Sequence, residues 1–138
     1  MSLDKARAAI VQAYIDAGLN LPTFYENKPG DPPANPWAIF TFIPNNPEVV
    51  TLGSGGDDEA TGFVQIDLNY PLNSGDKAAA DAFNLLRDKF IAGQILTNSG
   101  QAVRVGSCGR SHGRNVNGWY RVSITIYWSA RIRRKEII

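Results

Sequence analysis

At 138 residues, with 43% hydrophobic and 20% charged content, the chain has the size of one domain with a substantial core and is short for two. A net charge of +1 offers no bulk attraction to nucleic acid, and this balance of apolar and charged residues excludes a disordered or membrane-spanning class. The single cysteine, Cys108, leaves no partner for an internal disulfide and no thiol set for a structural zinc, so stability has to come from packing.

The first element is a helix from about Leu3 to Ala17: Ser2 is placed to cap it, Leu3, Ala6, Ile10, Ala13, Tyr14 and Ala17 recur at helical spacing, and Gly18 supplies the stop. The N-terminus lacks the basic flank, apolar stretch and cleavage site of a signal peptide, so folding in a cytoplasm is expected. Four prolines between Pro29 and Pro36 predict a rigid extended loop. Trp37 to Ile43 follows, β-branched and aromatic on both faces, which predicts a central strand covered on both sides. The Gly- and acid-rich segment from Gly53 to Asp57, Asp58 and Glu59 has no apolar side chains to pack down, which predicts a flexible acidic loop or hairpin tip near 53–61.

Phe63 to Tyr70 alternates cleanly, Val64, Ile66, Leu68 and Tyr70 against Phe63, Gln65, Asp67 and Asn69, as a half-buried strand does. After Pro71, Ser74 and Gly75 offer a helix start, and Ala79, Ala82, Phe83, Leu86 and Phe90 form one apolar stripe to about Ile91, before Gly93. Ile95 to Thr97, the Asn98-Ser99-Gly100 turn, and Gln101 to Val105 predict a short hairpin. Gly106 to Gly118 reads as a Gly- and Arg-rich loop. The last strand sets Tyr120, Val122, Ile124, Ile126 and Trp128 against Trp119, Arg121, Ser123, Thr125 and Tyr127, and a basic tail over 131–138 carries Arg131, Arg133, Arg134 and Lys135. Together these elements predict a single α+β domain over 1–138: a mostly antiparallel sheet of about four strands with two helices packed on one face.

Catalytic chemistry has little to stand on. Cys108 and His112 are four positions apart, but no second cysteine or histidine completes a metal shell and no orienting group is evident for a Cys-His nucleophile. The glycines before Asp57 lack the Gly-Lys-Ser/Thr of a phosphate loop and the spaced oxygen ligands of a calcium loop. A solvated acidic turn is the plain reading, with a divalent cation bridging subunits there as the sharper one. The basic tail suits a salt bridge or a contact with an acidic neighbour better than DNA phosphates. No enzyme, cofactor or metal site is expected. The open sheet face instead mixes Trp119 and Tyr127 with Gln65, Asp67, Arg121 and Thr125, the blend of a protein contact surface; Asp57, Asp58, Arg131, Arg133 and Arg134 complete the candidate interface residues, with opposite charges on neighbouring subunits able to set register.

The order of first helix, Pro-rich loop and Trp37 strand, then Thr51-Leu52-Gly53-Ser54-Gly55-Gly56, Thr61-Gly62-Phe63-Val64-Gln65-Ile66-Asp67, the second helix, and Gly118-Trp119-Tyr120-Arg121-Val122, resembles the tail terminator proteins of long-tailed bacteriophages over nearly the whole chain. That resemblance implies a non-catalytic virion tail protein, made in the host cytoplasm. Its subunits form a homo-oligomeric ring, commonly a hexamer, that caps the tail tube, stops its polymerisation and offers a surface to the head connector or neck protein. The partners it implies are other copies of the chain, the tail-tube protein and the connector, with no specific nucleic acid and no membrane. A head completion or neck protein is the alternative within assembly, and a small ligand-binding domain the alternative outside it.

Overall fold

The computed structural model describes residues 3–26, 33–45, 48–49 and 56–133. Helix α1 spans Leu3–Asp16 and buries Ala6, Ala9, Ile10, Ala13 and Tyr14, a face made narrow by its alanines so that the helix sits close to the sheet. Gly18, at φ +79°, takes the left-handed conformation that ends it. Strands β1 (Thr23–Phe24), β2 (Trp37–Pro44), β3 (Glu48–Val49) and β4 (Asp57–Pro71) follow, then α2 (Lys77–Lys89), β5 (Ile95–Asn98), β6 (Gln101–Arg110), β7 (Arg114–Val116) and β8 (Trp119–Arg133).

The expected sheet of about four mostly antiparallel strands is overturned. Among the described residues one sheet holds eight strands in the order β1-β2-β4-β8-β6-β5, with β3 paired to β4 and β7 to β8. It is mixed, because β1 runs parallel to β2 while the other pairs are antiparallel. Strand outweighs helix, so this is a sheet-dominated protein rather than a balanced α+β one. The physical reason is that long partners recruit segments whose own composition looks like loop. β4 starts at Asp57 because Asp57–Thr61 find a ladder along Ser129–Arg133, and β8 therefore runs through Arg131 and Arg133. Likewise β6 continues to Arg110 through a bulge between Val105 and Cys108, and β7 folds back on β8 about Asn117 and Gly118, both at positive φ. Residues 53–55 and 134–138 lie outside the described residues, as do 27–32 of the Pro-rich stretch.

The inner face of the sheet carries Ala38, Phe40, Ala60, Val64, Ile66, Leu68, Tyr70, Val103, Val105, Val122, Ile124, Ile126, Trp128 and Ala130, all buried, with α1 and with Ala79, Ala82, Leu86 and Phe90 from the α2 region. β2 is a second correction: Ala38 and Phe40 are buried, but Ile39, Thr41 and Ile43 are only half-buried on the outer face, so its two apolar faces do not mark a doubly covered strand. Only short β1 flanks it, and beyond β1 its Phe42 N–H donates to Glu26 Oε1 at 2.6 Å while Arg7 Nη2 holds Glu26 Oε2 at 2.8 Å. A carboxylate so placed takes the bond a further strand would make, which blunts the edge. Gly62 on the inner side of β4 leaves space for Trp128, which stacks on Phe42 at 5.0 Å and 10°.

Candidate assembly interface

Strand register builds the outer face row by row. Ile43, Phe63 and Tyr127 lie side by side on β2, β4 and β8; the next rows are Thr41, Gln65 and Thr125, then Ile39, Asp67 and Ser123, then Trp37, Asn69 and Arg121. The first two rows hold no charge. Tyr127 is 53% exposed with its ring 6.0 Å from that of Phe63, a packed aromatic pair with an open side. An uncharged centre with an aromatic anchor and a polar rim has the anatomy of a protein contact.

The rim on one side is a fixed polar network. Asp67, Asn69 and Ser123 are all buried. Ser123 Oγ donates to Asp67 Oδ1 at 2.6 Å and Gln65 Nε2 donates to the same oxygen at 3.0 Å. Arg114 Nη2 donates to Ser123 Oγ at 2.9 Å, and Arg121 Nε to Asn69 Oδ1 at 2.8 Å. Asp67 Oδ1 thus holds Ser123 and Gln65 in place, a structural use of the carboxylate. Trp119 packs edge-on to Trp37 at 6.0 Å and 88°, and Trp37 in turn on Phe24 at 5.5 Å. It is half-buried, so it serves the fold as well as the surface.

On the other side the acidic and basic candidates turn out to be neighbours. Asp57 stands opposite Arg133 and Glu59 opposite Arg131, while Asp58 stands opposite Ile132 and by alternation belongs to the other face. Charges expected to meet across subunits are thus brought together within one. Arg134 lies outside the described residues. The structure therefore joins Gln65, Asp67, Trp119, Arg121 and Tyr127 on one face with Asp57, Arg131 and Arg133 at its far end. The sequence reading assigned no interface role to Ile39, Ile43, Phe63 or Asn69, although alternation already placed Phe63 and Asn69 on this face.

Cys108 and His112 form no centre. Cys108 packs half-buried against the core, and burial pushes its thiol up to about 11, with the Arg87 guanidinium opposing; His112 is exposed in the segment between β6 and β7. Among the described residues no group of three or more His, Cys, Asp or Glu could hold a metal ion, and no helix is long and apolar enough to cross a membrane. A thiol with so little thiolate at neutral pH is a poor nucleophile. Iodoacetamide at pH 7.5 is expected to label native Cys108 at least roughly tenfold more slowly than the urea-unfolded chain; equal rates by mass spectrometry would show the thiol to be free.

A second cluster escaped the sequence reading. Asp76, at the start of α2, accepts from Arg110 Nη1 and Nη2 at 3.0 Å each and from Tyr120 Oη at 2.6 Å, so the carboxylate clasps the helix to the ends of β6 and β8 instead of capping it. Those two partners, Arg110 first and then Tyr120, hold the Asp76 carboxyl below its usual value. Its folded value being the lower, the contribution is complete above the unfolded value of about 3.9 and is lost as pH falls through the folded one. Wild-type protein is expected to lose more urea stability from pH 7 to pH 3 than Asp76→Asn does. Parallel losses would remove the clasp from the pH response.

No curated protein matches the chain. Among solved structures, one of a protein described without a function superposes with a TM-score of 0.76 at 21% identity, covering 98% of this chain and 99% of that one. A chain from the virion of a native gene transfer agent particle superposes with a TM-score of 0.55 at 20% identity, covering 96% and 100%. At such identities these establish a shared fold. A family model described as phage tail terminator protein matches residues 5–128, from α1 through most of β8, and the chain belongs to that family.

Proposed function

We propose that this protein is a tail terminator in the working sense: copies form a ring that seats on the last ring of a phage tail tube, stops its growth and presents a surface for head joining. The observation that carries this reading is the family match over residues 5–128, which takes in all of the buried apolar core but Ala130, and the outer face rows. The uncharged rows around Phe63 and Tyr127 support a protein partner, and the Asp67 oxygen that ties Ser123 and Gln65 together, with a Cys108 thiol protonated at neutral pH, fits a structural role. In this reading the partners are further copies of the chain, the tail-tube protein and the head connector, and the protein ends its life in the virion.

Light scattering over a range of protein concentrations, with and without magnesium, followed by electron microscopy, tests it. Ring-sized particles that shorten or arrest tube growth when added to polymerising tail-tube protein are the expected result. A chain that stays monomeric and leaves tube length unchanged would remove the terminator reading. Within this scheme Tyr127→Ala is expected to weaken tube capping at least roughly tenfold, an anchor-residue effect, with circular dichroism unaltered. Trp119→Ala is the poorer probe because Trp119 also covers Trp37. Undiminished capping by Tyr127→Ala would take the outer face out of the contact.

A further inference from the structure

Two surfaces, an exposed apolar corner and a partly apolar hollow, lie at the two ends of the sheet order. At one end, the segment from Leu85 to Ile95 leaves Leu85, Ile91 and Ile95 exposed at 44%, 57% and 53%, and Ile95 opens β5, the terminal strand. At the other end, beside β1, the C-terminal end of α1 and the chain that follows enclose a hollow of about 240 Å³ lined by Tyr14, Ile15, Leu19, Leu21, Thr23 and Tyr25. Ile15, 56% exposed, stands at its rim. A hollow of that size, set against roughly 30 Å³ for a liquid water, holds several waters until a side chain displaces them, and its walls are mixed: Ile15, Leu19 and Leu21 are apolar, while Asn20, Thr23 and the tyrosine hydroxyls are polar.

The charges around the two surfaces are opposite. The last turn of α1 contains no basic residue and ends in exposed Asp16. The last turn of α2 contains Arg87 and Lys89, Arg104 stands opposite Ile95 in the β5–β6 register, and Arg131 and Glu59 share the hollow beside Ile95, so the corner is net positive even with Asp88 and Glu59 counted. Among the described residues the ion pairs are Arg7–Glu26, Lys77–Asp81 and Arg110–Asp76, and none uses the cations of this corner. One copy thus has an apolar projection in a net positive setting and a partly apolar hollow beside a negative charge. Two different, mutually complementary patches are what head-to-tail association requires, whereas a two-fold dimer needs one patch that fits itself.

We propose that subunits of the ring join by seating the Ile91–Ile95 corner of one copy in the Ile15–Tyr25 hollow of the next, with Arg104 set toward Asp16. This contact rests on the ring reading above and goes beyond it by naming the two faces. In a Cys108→Ala background, Ile15→Cys and Ile95→Cys change exposed positions and should leave the fold intact by circular dichroism. Oxidised separately, neither chain is expected to cross-link. Mixed, they are expected to give disulfide dimers and nothing larger, and a chain with both cysteines is expected to give a ladder. Independently, Asp16→Arg and Arg104→Asp should each raise the concentration for half-assembly at least tenfold, and both in one chain should restore it. Rings that form unaltered in both charge variants and yield no mixed disulfide would overturn this contact while leaving the ring reading standing. Dimers from either single-cysteine chain alone would overturn it in favour of a two-fold contact. A monomer throughout, with no cross-link and with tube length unchanged, would overturn the contact and the ring reading together.

Discussion

Gly62→Ala is expected to cost about 3 kcal/mol, the upper part of the overpacking range, lowering the melting temperature by roughly 10 °C for a chain of this size. A Cβ at this position meets the Ile43 carbonyl oxygen, lies 2.8 Å from Trp128 Cζ2 and 2.9 Å from Pro44 Cα. Two of the three obstacles are backbone of β2, so no rotamer change relieves them. Either the end of β2 moves away from β4, loosening the Pro44–Gly62 pair, or Trp128 leaves its stack on Phe42. Both routes open the inner face where three strands converge. Thermal unfolding followed by near-ultraviolet circular dichroism, which reports the tryptophan environment, reads both effects at once. A variant that melts within a degree or two of wild type with an unaltered near-ultraviolet spectrum would show that β2 has slack at this point.

The need for glycine at position 62 could not be read from the chain, and the reason is general to this fold. A single buried face prints a period of two into a strand, so Val64, Ile66, Leu68 and Tyr70 on β4 and Val122, Ile124, Ile126 and Trp128 on β8 were legible, as were the helical stripes that include Tyr14 and Leu86. Register between strands far apart in sequence leaves no local trace. Asp57 faces Arg133 because fifteen consecutive residues of β4 match fifteen of β8, and neither acidic nor basic segment announces a strand by composition. β1, with two residues, is below the length at which alternation exists. By contrast the β7–β8 hairpin had a readable signal: Asn117-Gly118 is the dipeptide that a turn with two positive φ angles favours, and it was passed over inside a glycine- and arginine-rich stretch.

The candidate interface divides the same way. Alternation assigned Gln65, Asp67, Trp119, Arg121 and Tyr127 to one face, and the register keeps them there. It could not tell which of them the fold uses up. Asp67 is 8% exposed beneath its hydrogen-bond donors, Trp119 lies against Trp37, and Tyr127 alone of the five is an exposed large apolar side chain. The Asp76 clasp was out of reach for another reason: Asp76 lies 34 and 44 residues from its two partners, and a carboxylate just before a helix has an ordinary reading as a cap.

Phe40→Ala is expected to have the largest effect of the substitutions considered, a loss of about 3–5 kcal/mol. Phe40 is fully buried at the middle of β2, and its ring meets two others, Tyr14 from α1 at 5.4 Å and Tyr25 just after β1 at 5.5 Å. It therefore joins two parts of the chain to the sheet, and truncation removes both aromatic contacts along with the apolar burial. The cavity has limited means of closing. Tyr14 is held by its hydroxyl, 2.7 Å from Thr23 Oγ1, and Tyr25 carries the Arg7 guanidinium 5.8 Å from its ring centre, so collapse onto the vacated space gives up one of these or moves α1. Urea unfolding should show a lower midpoint with the slope unchanged if the native state stays compact. Tyr14 and Tyr25 also form walls of the hollow beside Ile15, so a partly collapsed variant is expected to assemble less well than its residual stability alone would allow. Phe40→Leu, which keeps most of the volume, separates the two effects: it should recover stability and assembly together. Recovery of stability with assembly still lost would mean that the Tyr14–Phe40–Tyr25 ring geometry, and not merely a filled core, shapes the surface that the neighbouring subunit meets.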